Sequence, residues 1–173
     1  MSQIAKYYII LFSIIPYLSS VAQQYNFQKY SIENGLPRSA VYSLHQDKDG
    51  FLWIGLDGGG VSVFDGETFT NFDMSDGLPS HDVRAVFEDS KGNIWFGTNA
   101  GLCKYNFDTI ITYTVDQGLC YNYVRTIEED NEGNIWIGTD FGLSIYDGAN
   151  FRNFNIKDGL LDHKIRIIFK DSK

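Results

Sequence analysis

Every tryptophan in this 173-residue chain falls in one recurring slot. Gly50-Phe51-Leu52-Trp53-Ile54-Gly55 returns as Gly92-Asn93-Ile94-Trp95-Phe96-Gly97, and again as Gly133-Asn134-Ile135-Trp136-Ile137-Gly138. The indoles are 42 and 41 residues apart. A second marker runs in step: Gly35-Leu36, Gly77-Leu78, Gly118-Leu119 and Gly159-Leu160, spaced by 42, 41 and 41 residues. A third slot holds Val61-Ser62-Val63-Phe64, Leu102-Cys103-Lys104-Tyr105 and Leu143-Ser144-Ile145-Tyr146. A fixed period of about 40 residues marks a repeat architecture, in which no unit buries its apolar face alone.

Each unit reads as four short strands. In the second, Val83 to Glu88 is followed by the turn Asp89-Ser90-Lys91-Gly92, and Asn93 to Gly97 by the turn Thr98-Asn99-Ala100-Gly101. Leu102 to Tyr105 and Thr109 to Val115 complete it. The runs are rich in Val, Ile, Phe, Tyr and Trp and bounded by Gly, Asn and Asp, and no window carries a capped 3.6-residue period. Four strands per period predict an all-β chain of antiparallel β-propeller blades. Trp53, Trp95 and Trp136 then fill the wedge between blades, and their N–H groups need acceptors. Gly55, Gly97 and Gly138 let the adjacent backbone come close.

The pattern divides the chain into blades over 35–76, 77–117 and 118–158. Residues 23–34 resemble an outer strand that closes another blade, and 159–173 a first strand of a fourth. The inventory is three full blades with orphan strands at both ends, the expectation for an N-terminal piece of a longer propeller. Residues 1–22 read as a secretory signal. Lys6 is the only charge there, Tyr7 to Leu18 is apolar but broken by Pro16, and Ser19-Ser20-Val21-Ala22 supplies small residues for cleavage. An uncleaved anchor is the alternative, although the apolar run falls short of the roughly 20 residues a span needs. The remainder is expected to be exported and soluble, in the periplasm.

Net charge is −8, which lacks the basic footprint of a nucleic-acid binder or an anionic-lipid anchor. No cofactor motif is present: Gly58-Gly59-Gly60 lacks a following helix and Lys-Ser/Thr. His45, His81 and His163 have no metal-site spacing, and Asp47-Lys48-Asp49-Gly50 reads as a turn rather than a calcium loop. Cys103 and Cys120 replace Ser or Pro of neighbouring repeats, and either a disulfide or two separate thiols fits. No catalytic set recurs.

One polar slot repeats at the start of the first strand: Tyr42, Arg84, Arg125 and Arg166. First strands line a propeller's channel, so these side chains form a candidate ring for anionic or hydroxyl-rich ligands. The alternative is structural pairing of each Arg with a nearby carboxylate. The turns carrying Asp57, Asn99 and Asp140 are expected on the same face, where Tyr121 and Tyr123 offer stacking surfaces for a sugar.

The string Gly118-Leu119, Val124, Ile127, Asp130, Gly133-Asn134-Ile135-Trp136-Ile137-Gly138-Thr139, Gly142-Leu143, Tyr146-Asp147-Gly148 resembles the two-component regulator propeller repeat. The second copy departs at Asn106-Phe107, where Asp-Gly is expected, and the first has Leu56 for Thr. The resemblance implies the exported sensor region of a bacterial two-component protein. It also implies further blades, a membrane helix and a histidine kinase downstream, and ligands that include oligosaccharides. Recognition without catalysis is the expected mechanism. The alternatives are a scaffold propeller of a secretion or cell-surface assembly, and a propeller lyase.

Overall fold

The computed structural model describes residues 27–171. The signal expected over residues 1–22 lies outside the described residues. Three four-stranded antiparallel sheets follow one another, each ordered as its strands occur in the chain. The first holds β1 (Val41–Gln46), β2 (Leu52–Leu56), β3 (Val61–Phe64) and β4 (Phe69–Phe72). The second holds β5 (Val83–Glu88), β6 (Ile94–Thr98), β7 (Leu102–Tyr105) and β8 (Ile110–Tyr113). The third holds β9 (Val124–Glu129), β10 (Ile135–Thr139), β11 (Gly142–Tyr146) and β12 (Phe151–Phe154). These are propeller blades: β1 packs beside β5 and β5 beside β9, so the inner strands gather on one side.

Two strands of the second blade differ from expectation in their bounds, for a local reason in each case. The second strand of the second blade starts at Ile94, because Asn93 N and Nδ2 both donate to the Asp89 carboxylate and belong to the turn. The fourth starts at Ile110 and ends at Tyr113. Thr109 is drawn to Asn106 Oδ1, and Thr114 caps the next turn. At the Asn106-Phe107 departure, Phe107 has φ 68°, whereas Gly66 and Gly148 supply 104° and 99° in the other blades. It is the one non-glycine with positive φ among the described residues.

Between blades the chain makes single 3-10 turns over Ile32–Asn34, Met74–Asp76, Val115–Gln117 and Ile156–Asp158, which periodicity did not reveal. They explain the Gly-Leu marker. Gly35, Gly77, Gly118 and Gly159 close them at φ between 105° and 108°, a region glycine enters without a Cβ clash. Leu36, Leu78 and Leu119 then drop into the core.

The indoles hold the blades together. Trp53 is 3% exposed; it stacks on Phe72 of its own blade and meets Phe96 of the second at 5.8 Å. Trp95 repeats this with Tyr113 and, in the third blade, Tyr146 at 6.0 Å. Trp136 is half-buried beside Ile168 and Phe169. Each Nε1–H donates to the Asp that opens its blade's first turn: Asp47 at 2.7 Å, Asp89 at 2.8 Å and Asp130 at 2.9 Å. Burying an indole removes roughly 200 Å2 from water, of order 5 kcal/mol. A hydrogen bond to a carboxylate contributes about 2 kcal/mol. Packing therefore supplies most of the energy, and the Asp selects the ring's orientation.

Two further contacts join neighbouring blades. A Cβ on Gly97 would lie 2.7 Å from Val124 Cγ1, so the next inner strand sits against bare backbone. Ile165 takes the same position against Gly138. The carboxylate ending one inner strand also grips the preceding blade's turn. Glu88 accepts from Lys48 N at 2.9 Å, and Glu129 accepts from Ser90 N and Oγ at 2.7 and 2.8 Å. Of the end segments expected as orphan strands, the described residues 27–34 and 159–171 join no sheet. Tyr30 nevertheless lies 4.8 Å from Phe64, as Phe72 lies 5.5 Å from Tyr105 and Tyr113 5.2 Å from Tyr146.

Asp89→Ala leaves the buried Trp95 N–H and the turn amides without an acceptor, and is expected to cost about 2 kcal/mol in urea unfolding. Acid should act on the same bonds. Burial works to raise Asp89 and Asp130, but the indole and Asn amide donors outweigh it and hold both below the usual carboxylate range, Asp130 at about 2. A carboxyl depressed by folding stabilises fully above its unfolded value of about 3.9 and loses that contribution as pH falls through its folded value. The urea midpoint should therefore hold at mildly acidic pH and drop between about pH 4 and pH 2.

Candidate ligand-binding face

The repeated polar slot has a backbone cause. In the first blade Val41 pairs with Leu56 and Ser43 with Gly55, leaving Tyr42 as the extra residue of a bulge. Val83 and Ala85 pair with Thr98 and Gly97 around Arg84. Val124 and Thr126 pair with Thr139 and Gly138 around Arg125. A bulge re-aims the side chain it carries. Here it does so at the same point of three successive inner strands.

The re-aimed groups meet one another. Arg84 Nη2 donates to Tyr42 Oη at 3.1 Å. The Arg84 Cζ lies 4.1 Å from the Tyr42 ring centroid and 4.9 Å from that of Tyr123, bridging three blades. The Arg125 Cζ stands 4.8 Å from the same Tyr123 ring. Arg125 donates through Nε and Nη2 to Asp140, which also faces Lys164 at 3.8 Å. The Arg125 bond holds the Asp140 carboxyl below its ordinary range, against partial burial and with help from Lys164. A hydrogen bond to Asp57 raises the Tyr42 hydroxyl. Of the expected ring, Arg125 thus follows the structural alternative and pairs with a carboxylate, whereas Arg84 does not. Arg166 is exposed.

The β2–β3 type turns lie against the segments that follow the Gly-Leu pairs. Asp57 N donates to Ala40 O and Asp140 N to Tyr123 O. Asn99 is engaged structurally, its Nδ2 donating to Asp82 at 2.6 Å while Asp82 also accepts from Gly58 N. Beside Asp140 a row of rings emerges that the repeat pattern did not single out. Phe141 stacks on His163 at 4.4 Å and 12°, and lies 5.8 Å from Tyr121. Phe141 and Tyr121 are 54% and 44% exposed, enough to offer a face to a ligand. Phe141, His163, Cys120 and Lys157 line a cleft of about 630 Å3. Phe141 replaces Gly58 and Ala100 of the earlier turns, which was the one available sequence signal.

The two component regulator propeller family profile matches residues 35–58, 77–100 and 118–141. The extracellular domain of BT3049 from B. thetaiotaomicron, described as a hybrid two component system, is 29% identical over 84% of this chain, with a TM-score of 0.76. This chain spans 21% of that domain's length. The extracellular domain of BT4673 from the same organism is 23% identical over 77% of this chain and 21% of its own, with a TM-score of 0.65. PorZ, a surface component of the type-IX secretion system of Porphyromonas gingivalis, is 22% identical over 70% of this chain and 20% of its own, with a TM-score of 0.58. The last two show likeness of fold. No curated protein sequence matches the chain.

The two thiols distinguish this face from the interior. Both are free; Cys103 is fully buried and burial pushes its thiol up to about 12, while Cys120 borders the cleft and contacts Thr139 Oγ1 at 3.3 Å. Alkylation of the native chain near pH 8 should stop at one thiol, Cys120, with Cys103 reacting only after unfolding, as read by mass spectrometry.

Proposed function

We propose that this chain, built from repeats of the two-component regulator propeller family, is part of an exported sensor propeller that recognises an extracytoplasmic ligand without catalysis. Oligosaccharides are the ligand class we put forward. The observations that support it are the bulge repeated in three inner strands, at Tyr42, Arg84 and Arg125, and the Tyr121–Phe141–His163 row that follows Asp140, the partner of Arg125. Exposed rings stack on the apolar faces of sugars, and guanidinium and phenol groups meet their oxygens. The hybrid two component system likeness supports a signalling role, in which binding on the propeller biases a two-state element in the longer protein. Its other blades, a membrane anchor in the inner membrane and a histidine kinase are the partners of this reading, and the periplasm its compartment.

Binding of an oligosaccharide panel to the purified chain, measured by calorimetry with reducing ends and unsaturated products followed in parallel, tests it. We expect saturable binding with no product, and a loss of about tenfold in affinity for Phe141→Ala, one stacked ring being worth about 1.4 kcal/mol. Product formation would establish the lyase alternative instead. Binding to no glycan but to a surface protein would establish the scaffold.

A further inference from the structure

Arg84 is the cation that this face leaves unbalanced. Tyr42 Oη accepts from its Nη2, and the Tyr42 and Tyr123 rings flank it. Among the described residues it makes no ion pair, and its Nε–H is buried without an acceptor. Leaving such a donor unmet is costly, so a buried one calls for an acceptor from outside the protein or from solvent. The nearby carboxylates are committed elsewhere. Asp82 holds Gly58 N and Asn99, and Asp140 takes Arg125 and Lys164. Arg84 and Arg125 approach one phenol ring, yet of the two only Arg125 holds a carboxylate at ion-pair distance; Arg84 acts on that same Asp140 from farther off.

We propose that Arg84, with Arg125 and Lys164 beside it, forms an anion site that binds a carboxylate or sulfate group of the ligand. The two phenol rings confine the guanidinium, so it loses little rotamer freedom on binding, and its planar fork suits two acceptor oxygens. The proposal rests on the reading above only in placing the ligand on this face.

The test is calorimetric titration of the purified chain with uronic acid and sulfated oligosaccharides. Each is run beside its methyl-esterified or desulfated counterpart, with inorganic sulfate as the non-sugar anion. We expect the charged member of a pair to bind at least about tenfold tighter, by a margin that shrinks with added salt. Arg84→Gln should abolish the margin. Arg84→Lys, which keeps the charge but not the fork, should restore part of it, and it carries the test if the Gln variant fails to fold. Equal affinity within every pair, or a margin untouched in both variants, overturns the anion site and leaves oligosaccharide recognition standing. Sulfate binding that depends on Arg84, without any sugar preference, supports the site and removes the oligosaccharide reading. No binding in any arm overturns both.

Discussion

An indole wedged between two sheets, with its N–H tied to an aspartate six residues earlier, is the interaction on which this architecture depends. Without the ring, adjacent four-stranded sheets would face each other across a gap that Val and Ile are too small to fill. Without the aspartate, the ring would carry an unmet donor into the core. The same carboxylate collects the turn's amides: Asp89 Oδ1 accepts from Lys91 N and Asn93 N while Oδ2 holds Trp95. Hairpin geometry, ring orientation and blade spacing therefore share one residue, which is why turn and tryptophan recur together.

Against that regular frame, the inner strands carry a regular irregularity. The bulges at Tyr42, Arg84 and Arg125 sit opposite the glycines that admit the neighbouring strand. A flat ladder would alternate these side chains strictly between the two blade faces. The extra residue frees one position per blade from that alternation and sends a polar group to the face where the Gly-Leu loops gather. Structural repetition thus produces a polar cluster with contributions from three blades, something no single blade possesses.

The blades were legible in the sequence because their markers are large or unique. Tryptophan, Gly-Leu and the hairpin Asp…Gly each recur within a residue of the same spacing. The tie between aspartate and indole was half legible: the turn role of Asp89 followed from its position, but its role as indole acceptor appears only in three dimensions. The bulges were hidden, since an inserted register shift leaves composition and local pattern unchanged. The Phe141–His163 stack joins residues of different repeats, each of which looks like an ordinary loop substitution. The carboxylate grips at Glu88 and Glu129 were hidden for another reason. Gln46 and Lys170 occupy the corresponding positions, so no consensus stands out.

Those grips have a direction. Glu88 reaches back to Lys48 N and Glu129 to Ser90 N, in both cases from a later unit to the backbone of an earlier one. A main-chain amide is available whatever side chain accompanies it, so the acceptor needs no matched partner in the sequence of its neighbour. A unit that carries this acceptor can dock on the main chain of the unit before it, and Lys48 Nζ and Ser90 Oγ add side-chain contacts of their own. Divergence of the exposed loops can then proceed without disturbing how the units join.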